Sequence, residues 1–295
     1  MVNLTDTVVL DLDTTFDLRE TIAPVWWGRG RWPNHDLIDG HLWTVAEDDT
    51  GIIVRQIVQS GRQLQIATNR PEVHHLAWAS RVLGIRHQMP AFSDPVVAAI
   101  AARHPGMRPW CNAGLFESII TAIVGQAVSV QAAAIFEQRL CAMTTQRVPI
   151  GDRLYHPFPT AAHILQCSPE QIQTCGVTGN RARAIHQIAI LSESDALPSE
   201  YDLATDADNG IRRLMSLPMI GRWTAESVLL WGLGAANAHP SGDVALLRAA
   251  RLAYARPELT LKDLDHLSEQ WQPSRSWAAR LLWLNLLGPA PASDL

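Results

Sequence analysis

Lysine is almost missing from this chain: Lys262 stands alone beside the 23 arginines that make up the rest of its 24 basic residues. Chemistry that needs a lysine amine as a covalent nucleophile therefore has one candidate in 295 residues. Cysteine is scarce as well. Cys111, Cys141, Cys167 and Cys175 are scattered, without the spacing of a zinc site or an iron–sulfur cluster, and they form no disulfide framework. His35, His41, His74 and His75 lack a surrounding set of other ligands and read as core or surface histidines, so metal catalysis has no support here. No charged and then apolar leader opens the chain, and no apolar run is long enough to cross a membrane; a cytosolic protein is expected. Excess positive charge is missing too. A net charge of −5 argues against a nonspecific coat on nucleic acid, which depends on neutralising many phosphates. The balance is local, however: from Ile211 onward nine basic residues meet seven acidic ones.

What is present suits a folded protein of two or three subdomains, with 47% hydrophobic and 18% charged residues. Residues 5–68 hold short runs rich in β-branched and apolar residues, several alternating with polar ones, at Thr7 to Leu10, His41 to Val45, Ile52 to Val58 and Gln63 to Thr68, with a turn signal at Asp48-Asp49-Thr50-Gly51. They predict a small antiparallel sheet. Pro71 to Leu83 and Asp94 to Arg103 read as helices, and from Leu115 nearly everything is helical, broken at Pro157-Phe158-Pro159, Gly176, Pro198 and Leu217. The expected fold is mostly α with a small N-terminal α+β domain: residues 1–88, a helical core of two bundles over 89–287, and a disordered tail over 288–295.

The densest signal runs from Leu217 to Asp243. Leu217-Pro218-Met219-Ile220-Gly221 forms a tight turn between two helical patterns, a helix-hairpin-helix within about 207–233. A helix beginning near Gly221 presents unpaired N–H groups and the positive end of its dipole, which favours an anion such as a DNA phosphate. Gly232-Leu233-Gly234 stops that helix, and Asp243 then precedes another apolar helix. Taken alone, Asp243 reads as an ordinary N-cap. Gln126 and Ser129 read likewise as a helix end and the next N-cap. Arg181, Arg222, Arg248 and Arg275 suit phosphate contact or solvated surface equally.

Together these residues resemble the helix-hairpin-helix DNA glycosylases, and more closely the bacterial 3-methyladenine glycosylase II branch. Phe116 to Val130 looks like the family's signature helix and turn, with Gly125-Gln126 and Ser129 in register. Phe158-Pro159-Thr160 and Gly176 to Ala182 look like its central helices, and Trp271 to Trp283 like its last. The resemblance spans about residues 90 to 287. It implies a helix-hairpin-helix glycosylase fold with an antiparallel-sheet N-terminal domain, and a monomer acting on double-stranded DNA that contains damaged bases.

Residue by residue, the resemblance makes Asp243 the catalytic carboxylate. An excised nucleotide leaves oxocarbenium-like charge on its sugar, which a fixed carboxylate stabilises. It places Trp223, Trp283, Ser227 and Gln126 at the base pocket, where stacking grips a flipped, cationic base. DNA contacts are implied at Gln126, Ala127, Ser129, Leu217, Met219, Gly221, Arg222 and Thr224, and a monovalent cation on the carbonyls of Met215, Leu217 and Ile220. Trp26, Trp27, Trp43, Trp78 and Trp231 read as structural, and Trp277 is open between core and pocket. Bifunctional relatives carry a Schiff-base lysine where this chain has Trp223, and no cysteine follows the hairpin to hold a cluster. The expected activity is hydrolytic removal of alkylated purines in base excision repair, without lysine-dependent strand cleavage. The alternatives are a glycosylase of the same fold for deaminated or oxidised bases and a noncatalytic damage-binding protein. Three departures bear on this: Met219 stands where the hairpin usually has glycine, Ala127 is small for a wedge, and Ser227 stands where relatives place an aromatic residue.

Overall fold

The computed structural model describes residues 3–24, 32–205 and 207–290, and the side chains of 205 and 207 lie outside the description. Trp26 and Trp27 are among the residues it does not describe.

The chain begins with β1 (Asp6–Asp11), α1 (Leu18–Ile22), β2 (His35–Ile38), β3 (His41–Asp48), β4 (Gly51–Ser60), β5 (Gln63–Thr68) and α2 (His75–Val82). The strands form one antiparallel sheet in the order β1-β5-β4-β3-β2. Alternation sends Leu10, Leu37, Leu42, Ile57, Leu64 and Ile66 to one face, where they pack with α1, α2 and Trp110. Val45 and Val54 take part in a smaller cluster that also contains Val148 and Tyr155. Those two belong to a hairpin absent from the sequence reading, β6 (Val148–Ile150) and β7 (Arg153–Tyr155), which interrupts the helical half. Asp36 on β2 accepts from Tyr155 Oη and Arg153 Nη1, each at 2.7 Å, and so ties the hairpin to the sheet. The structural reading of Trp43 and Trp78 fits this domain: Trp43 packs against the smaller cluster, and the Arg55 guanidinium lies 4.6 Å from the Trp78 ring centre.

The remaining helices build one large core: α3 (Pro95–Arg103), α4 (Leu115–Val124), α5 (Val130–Thr144), α6 (Ala161–Leu165), α7 (Pro169–Gln173), α8 (Gly179–Glu193), α9 (Glu200–Thr205), α10 (Ala207–Met215), α11 (Arg222–Leu233), α12 (Val244–Ala253), α13 (Leu261–Ser268) and α14 (Arg275–Leu287). Local chemistry sets several starts. Asp94 accepts from the N–H groups of Val96 and Val97 and caps α3, a device worth about 1 kcal/mol, and Thr160, Ser168 and Thr260 close capping boxes. Gly232 lets α11 approach α4, because a Cβ there would meet Ser118 Oγ at 2.4 Å. Arg81 on α2 then reaches across the domains, pairing with Glu200 on α9 at 2.8 Å and donating to Gly232 O at 2.7 Å. Trp277 is buried, edge-on to His87, which places it in the core.

The chain end departs from expectation. Ala290 is buried against the N-terminal sheet core and its N–H donates to Arg19 O at 3.1 Å, so a disordered tail does not begin at Gly288. Residues 291–295 lie outside the described part.

Candidate active site

The helix-hairpin-helix is formed by α10, residues 216–221 and α11, with Gly221 as the N-cap of α11. Gly221 is exposed, and a Cβ there would meet nothing within 4 Å, so its approach side is open. Met219 adopts φ of +61°, the left-handed region that explains why glycine suits this position; its side chain is 44% exposed. Ile220 N–H donates to Leu217 O at 3.3 Å and closes the turn.

Gln126, which the resemblance puts at the base pocket and the DNA, is half-buried beside the hairpin. Its side-chain amide donates to Met219 O at 2.7 Å and to Thr224 Oγ1 at 3.0 Å, pinning the α4–α5 turn to the hairpin. Thr224 itself is buried. Ser129 caps α5 by accepting from Ala132 N–H at 3.2 Å, and Ala127 is exposed with φ of +50°. Arg222 is exposed and bonds Glu226, whereas Arg275 is engaged by Asn237 and Glu269.

Asp243 is the N-cap of α12. Its Oδ1 accepts from Leu246 N–H at 2.7 Å and its Oδ2 from the Trp223 indole N–H at 3.1 Å. The loop that delivers it is clamped from two sides. Glu226 on α11 accepts from Ser241 N–H at 2.9 Å, and Asp265 on α13 accepts from His239 Nε2 at 2.9 Å and from Ser241 Oγ at 3.0 Å.

Asp243 opens onto a cavity of about 480 Å³ between the sheet domain and the helices. That volume suits a small-molecule-sized ligand, for which pockets of roughly 300–1,000 Å³ are usual. Trp223, Ser227 and Trp283 line it, together with Ala127 and Val128. Trp231, read from sequence as structural, lines it too, stacked on Trp283 with ring centres 5.4 Å apart and planes 18° apart. Trp223, Ser227 and Trp231 recur every fourth residue on α11, a one-face stripe that carried the signal. Behind the stack, the buried guanidinium of Arg280 lies 4.4 Å from the Trp231 ring centre and donates to Leu230 O at 2.8 Å. Burial lowers its pKa to about 10.

Trp32 and His35 of the sheet domain, with Trp110 packed against that domain's core, complete the wall, and sequence reasoning did not place them there. His35 lies between the two tryptophans, 5.8 Å from the Trp32 ring centre and 5.3 Å from that of Trp110. Two carboxyl groups were also missed, Glu117 on α4 and Glu137 on α5. Glu117 accepts from Asn34 Nδ2 and from Ala113 N–H, each at 3.1 Å, while burial raises its pKa. Burial pushes Glu137 up to about 8, with the charge of Glu117 adding to the shift and a Thr121 hydrogen bond opposing it. Lys262 is exposed on α13, away from the cavity.

Among the described residues, no group of three or more His, Cys, Asp or Glu is placed to hold a metal ion, and no helix is long and apolar enough to cross a membrane. The carbonyls of Met215, Leu217 and Ile220 lie at the end of α10 and in the hairpin, where the monovalent cation was expected.

No protein-family model matches the chain. It is 31% identical over 204 residues to a Mycobacterium tuberculosis protein described as "Probable bifunctional transcriptional activator/DNA repair enzyme AlkA", a match covering 67% of this chain and 38% of that relative. The chain therefore spans well under half of that protein. It is 28% identical over 209 residues to DNA-3-methyladenine glycosylase 2 of Escherichia coli, covering 70% of each. Its fold superposes on a 3-methyladenine DNA glycosylase from Archaeoglobus fulgidus with a TM-score of 0.79 at 19% identity, covering 96% of this chain and 100% of the other. By sequence the chain thus resembles the 3-methyladenine glycosylase II branch of the helix-hairpin-helix DNA glycosylases, and its fold is the one that such glycosylases adopt.

Proposed function

We propose that this protein is a monofunctional DNA glycosylase that flips alkylated purines, of the 3-methyladenine and 7-methylguanine class, out of duplex DNA and hydrolyses the N-glycosidic bond. The observation that carries this reading is Asp243 held by Trp223 on the wall of a tryptophan-lined cavity. An alkylated purine carries positive charge, so indole faces attract it and it departs as a neutral base without a strong general acid. The sugar is left electron-poor, and the Asp243 carboxylate stabilises that charge and orients the attacking water.

The exposed N-terminus of α11 suits a backbone phosphate, and Met219 and Arg222 flank it on the surface. A lyase step through a Schiff base is unsupported, because Trp223 occupies the lysine position of bifunctional relatives and Lys262 is remote from the cavity. The protein acts as a cytosolic monomer without a redox cofactor in this reading, with any cation confined to the hairpin carbonyls. The test is mass analysis of the small molecules released from methylated duplex DNA, with strand length followed before and after alkali. Free 3-methyladenine with strands intact until alkali supports the assignment. Strand scission without alkali removes the monofunctional part, and damage-specific binding without base release turns the assignment to a binding protein.

A further inference from the structure

Glu226 does not line the cavity, yet it reaches the loop that ends in Asp243. Its side chain is only 3% exposed, and each oxygen has its own donor: Arg222 Nε at 3.2 Å on Oε1 and Ser241 N–H at 2.9 Å on Oε2. Burying a carboxylate is costly unless such donors meet it. An amide would satisfy Ser241 equally, so the charge answers Arg222, which stands exposed at the start of α11. One side chain thus joins the open end of α11 to the catalytic loop.

The Ser241 N–H is shared. It also donates to His239 O at 2.7 Å, and Asp243 N–H donates to Pro240 O at 3.1 Å, so residues 239–243 close a tight turn among themselves. Those bonds set the shape of the turn and leave open where it sits. Gly242, beside Asp243, has φ of +85°, and a Cβ there would meet nothing within 4 Å, so packing does not hold that side. Two side chains from outside the turn do: Glu226 on α11 and Asp265 on α13. Asp265 is 46% exposed, where water competes for its bonds, whereas the bond of Glu226 is shielded. Trp223, three residues earlier on α11, bonds Asp243 itself. The acid and its loop are therefore registered against one helix at two points.

Resting on the glycosylase reading, we propose that Glu226 is a positioning residue for base release: through the Ser241 N–H it fixes where the Asp243 carboxylate stands relative to the sugar of a flipped nucleotide. A carboxylate serves a developing charge only at the right distance, and a misplacement of about 1 Å costs on the order of 100-fold in rate. Loss of the Glu226 bond lowers the response of the site to positive charge at the sugar while the grip on the DNA backbone remains.

The experiment compares the natural chain, Glu226→Leu and Glu226→Gln in two measurements. One is single-turnover release of 3-methyladenine from duplex DNA. The other is affinity for two duplexes with abasic analogues: a pyrrolidine, whose ring ammonium stands for the charge on the sugar, and a neutral tetrahydrofuran. The ratio of those affinities reports the placement of the Asp243 charge, because the rest of the DNA is the same. In Glu226→Leu the pyrrolidine preference and the release rate each fall at least about tenfold, while tetrahydrofuran affinity changes by less than about threefold. Glu226→Gln still accepts from Ser241, and both quantities return to within about threefold of the natural chain. Should Glu226→Leu not fold, Glu226→Asp, a methylene too short to reach Ser241, takes its place with the same expectation. Equal losses on both analogues, or no recovery in Glu226→Gln, assign Glu226 to packing and overturn the role, as does an unchanged ratio and rate in Glu226→Leu. Each of these leaves the proposed function standing when the natural chain releases 3-methyladenine. No release by the natural chain overturns both.

Discussion

The indole N–H of Trp223 donates to Oδ2 of Asp243 at 3.1 Å, so a wall of the cavity and the acid at its edge are fixed by one hydrogen bond. Oδ1 is held by Leu246 N–H in the N-cap of α12. Both oxygens of the carboxylate are therefore held in orientation by protein donors.

Trp223→Phe keeps an aromatic face and removes the donor. A hydrogen bond to a charged group is worth about 1.5–3 kcal/mol. Single-turnover base release is expected to fall at least about tenfold, with a much smaller change in affinity for DNA containing an abasic site. Equal loss of rate and affinity would assign Trp223 to packing alone.

Gln126→Ala removes both bonds that join the α4–α5 turn to the hairpin. The side chain is half-buried, so about 1–2 kcal/mol of stability is expected to go, read from the urea midpoint. Because hairpin placement depends on this link, DNA affinity falls more than the rate of base release at saturation. An unchanged midpoint would show that the cross-link is not maintained in solution.

Met219→Gly relieves the positive φ of +61°. A left-handed non-glycine residue costs roughly 1–2 kcal/mol, and the extra freedom of glycine in the unfolded chain returns part of it. A net gain of about 0.5–1 kcal/mol in urea unfolding is expected. The backbone N–H is retained, so the salt dependence of DNA binding stays the same.

Glu137 gives a pH dependence of stability with a definite sign. Its carboxyl titrates at about 8 in the folded chain, whereas an unfolded glutamate titrates near the ordinary value of 4.5. Between those limits the folded state holds a proton that the unfolded state has released, so stability falls as pH rises through the window and levels off above it. Its slope is at most about 1.4 kcal/mol per pH unit. Urea midpoints of the natural chain and Glu137→Gln measured from about pH 5 to pH 9 separate this group from all others: the variant lacks that part of the slope. Parallel curves would show that Glu137 is ionised at neutral pH.

Much of the fold could be read from local chemistry. Alternation located β3, β4 and β5, Asp94 announced α3, and the hairpin with its flanking helices followed from Pro218, Gly221 and the apolar spacing after them. The strand β2 was missed although Asp39 and Gly40, with φ of 51° and 76°, form the left-handed two-residue turn that pairs it with β3. The β6–β7 hairpin was missed because three-residue strands have no measurable period. Asp243, Trp223 and Ser227 were legible because their place depends on near neighbours in the chain. Trp231 was legible in principle from the stripe on α11. Glu137 and His35 were not, since only the docking of α5 on α4 and of the sheet domain on the helices brings them to the cavity. The contacts of Gln126 were hidden for a related reason: its partners Met219 and Thr224 lie more than ninety residues away.

The most direct test is single-turnover release of free 3-methyladenine from methylated duplex DNA, without alkali, by the natural chain and by Asp243→Asn. The asparagine preserves shape and an oxygen for the N-cap while removing the charge. Release that falls by about 10²–10⁴-fold in the variant, with damaged-DNA affinity largely kept, is what the proposed role of Asp243 predicts, given the usual worth of one electrostatic group at a developing charge. Release at the natural rate by Asp243→Asn would contradict it.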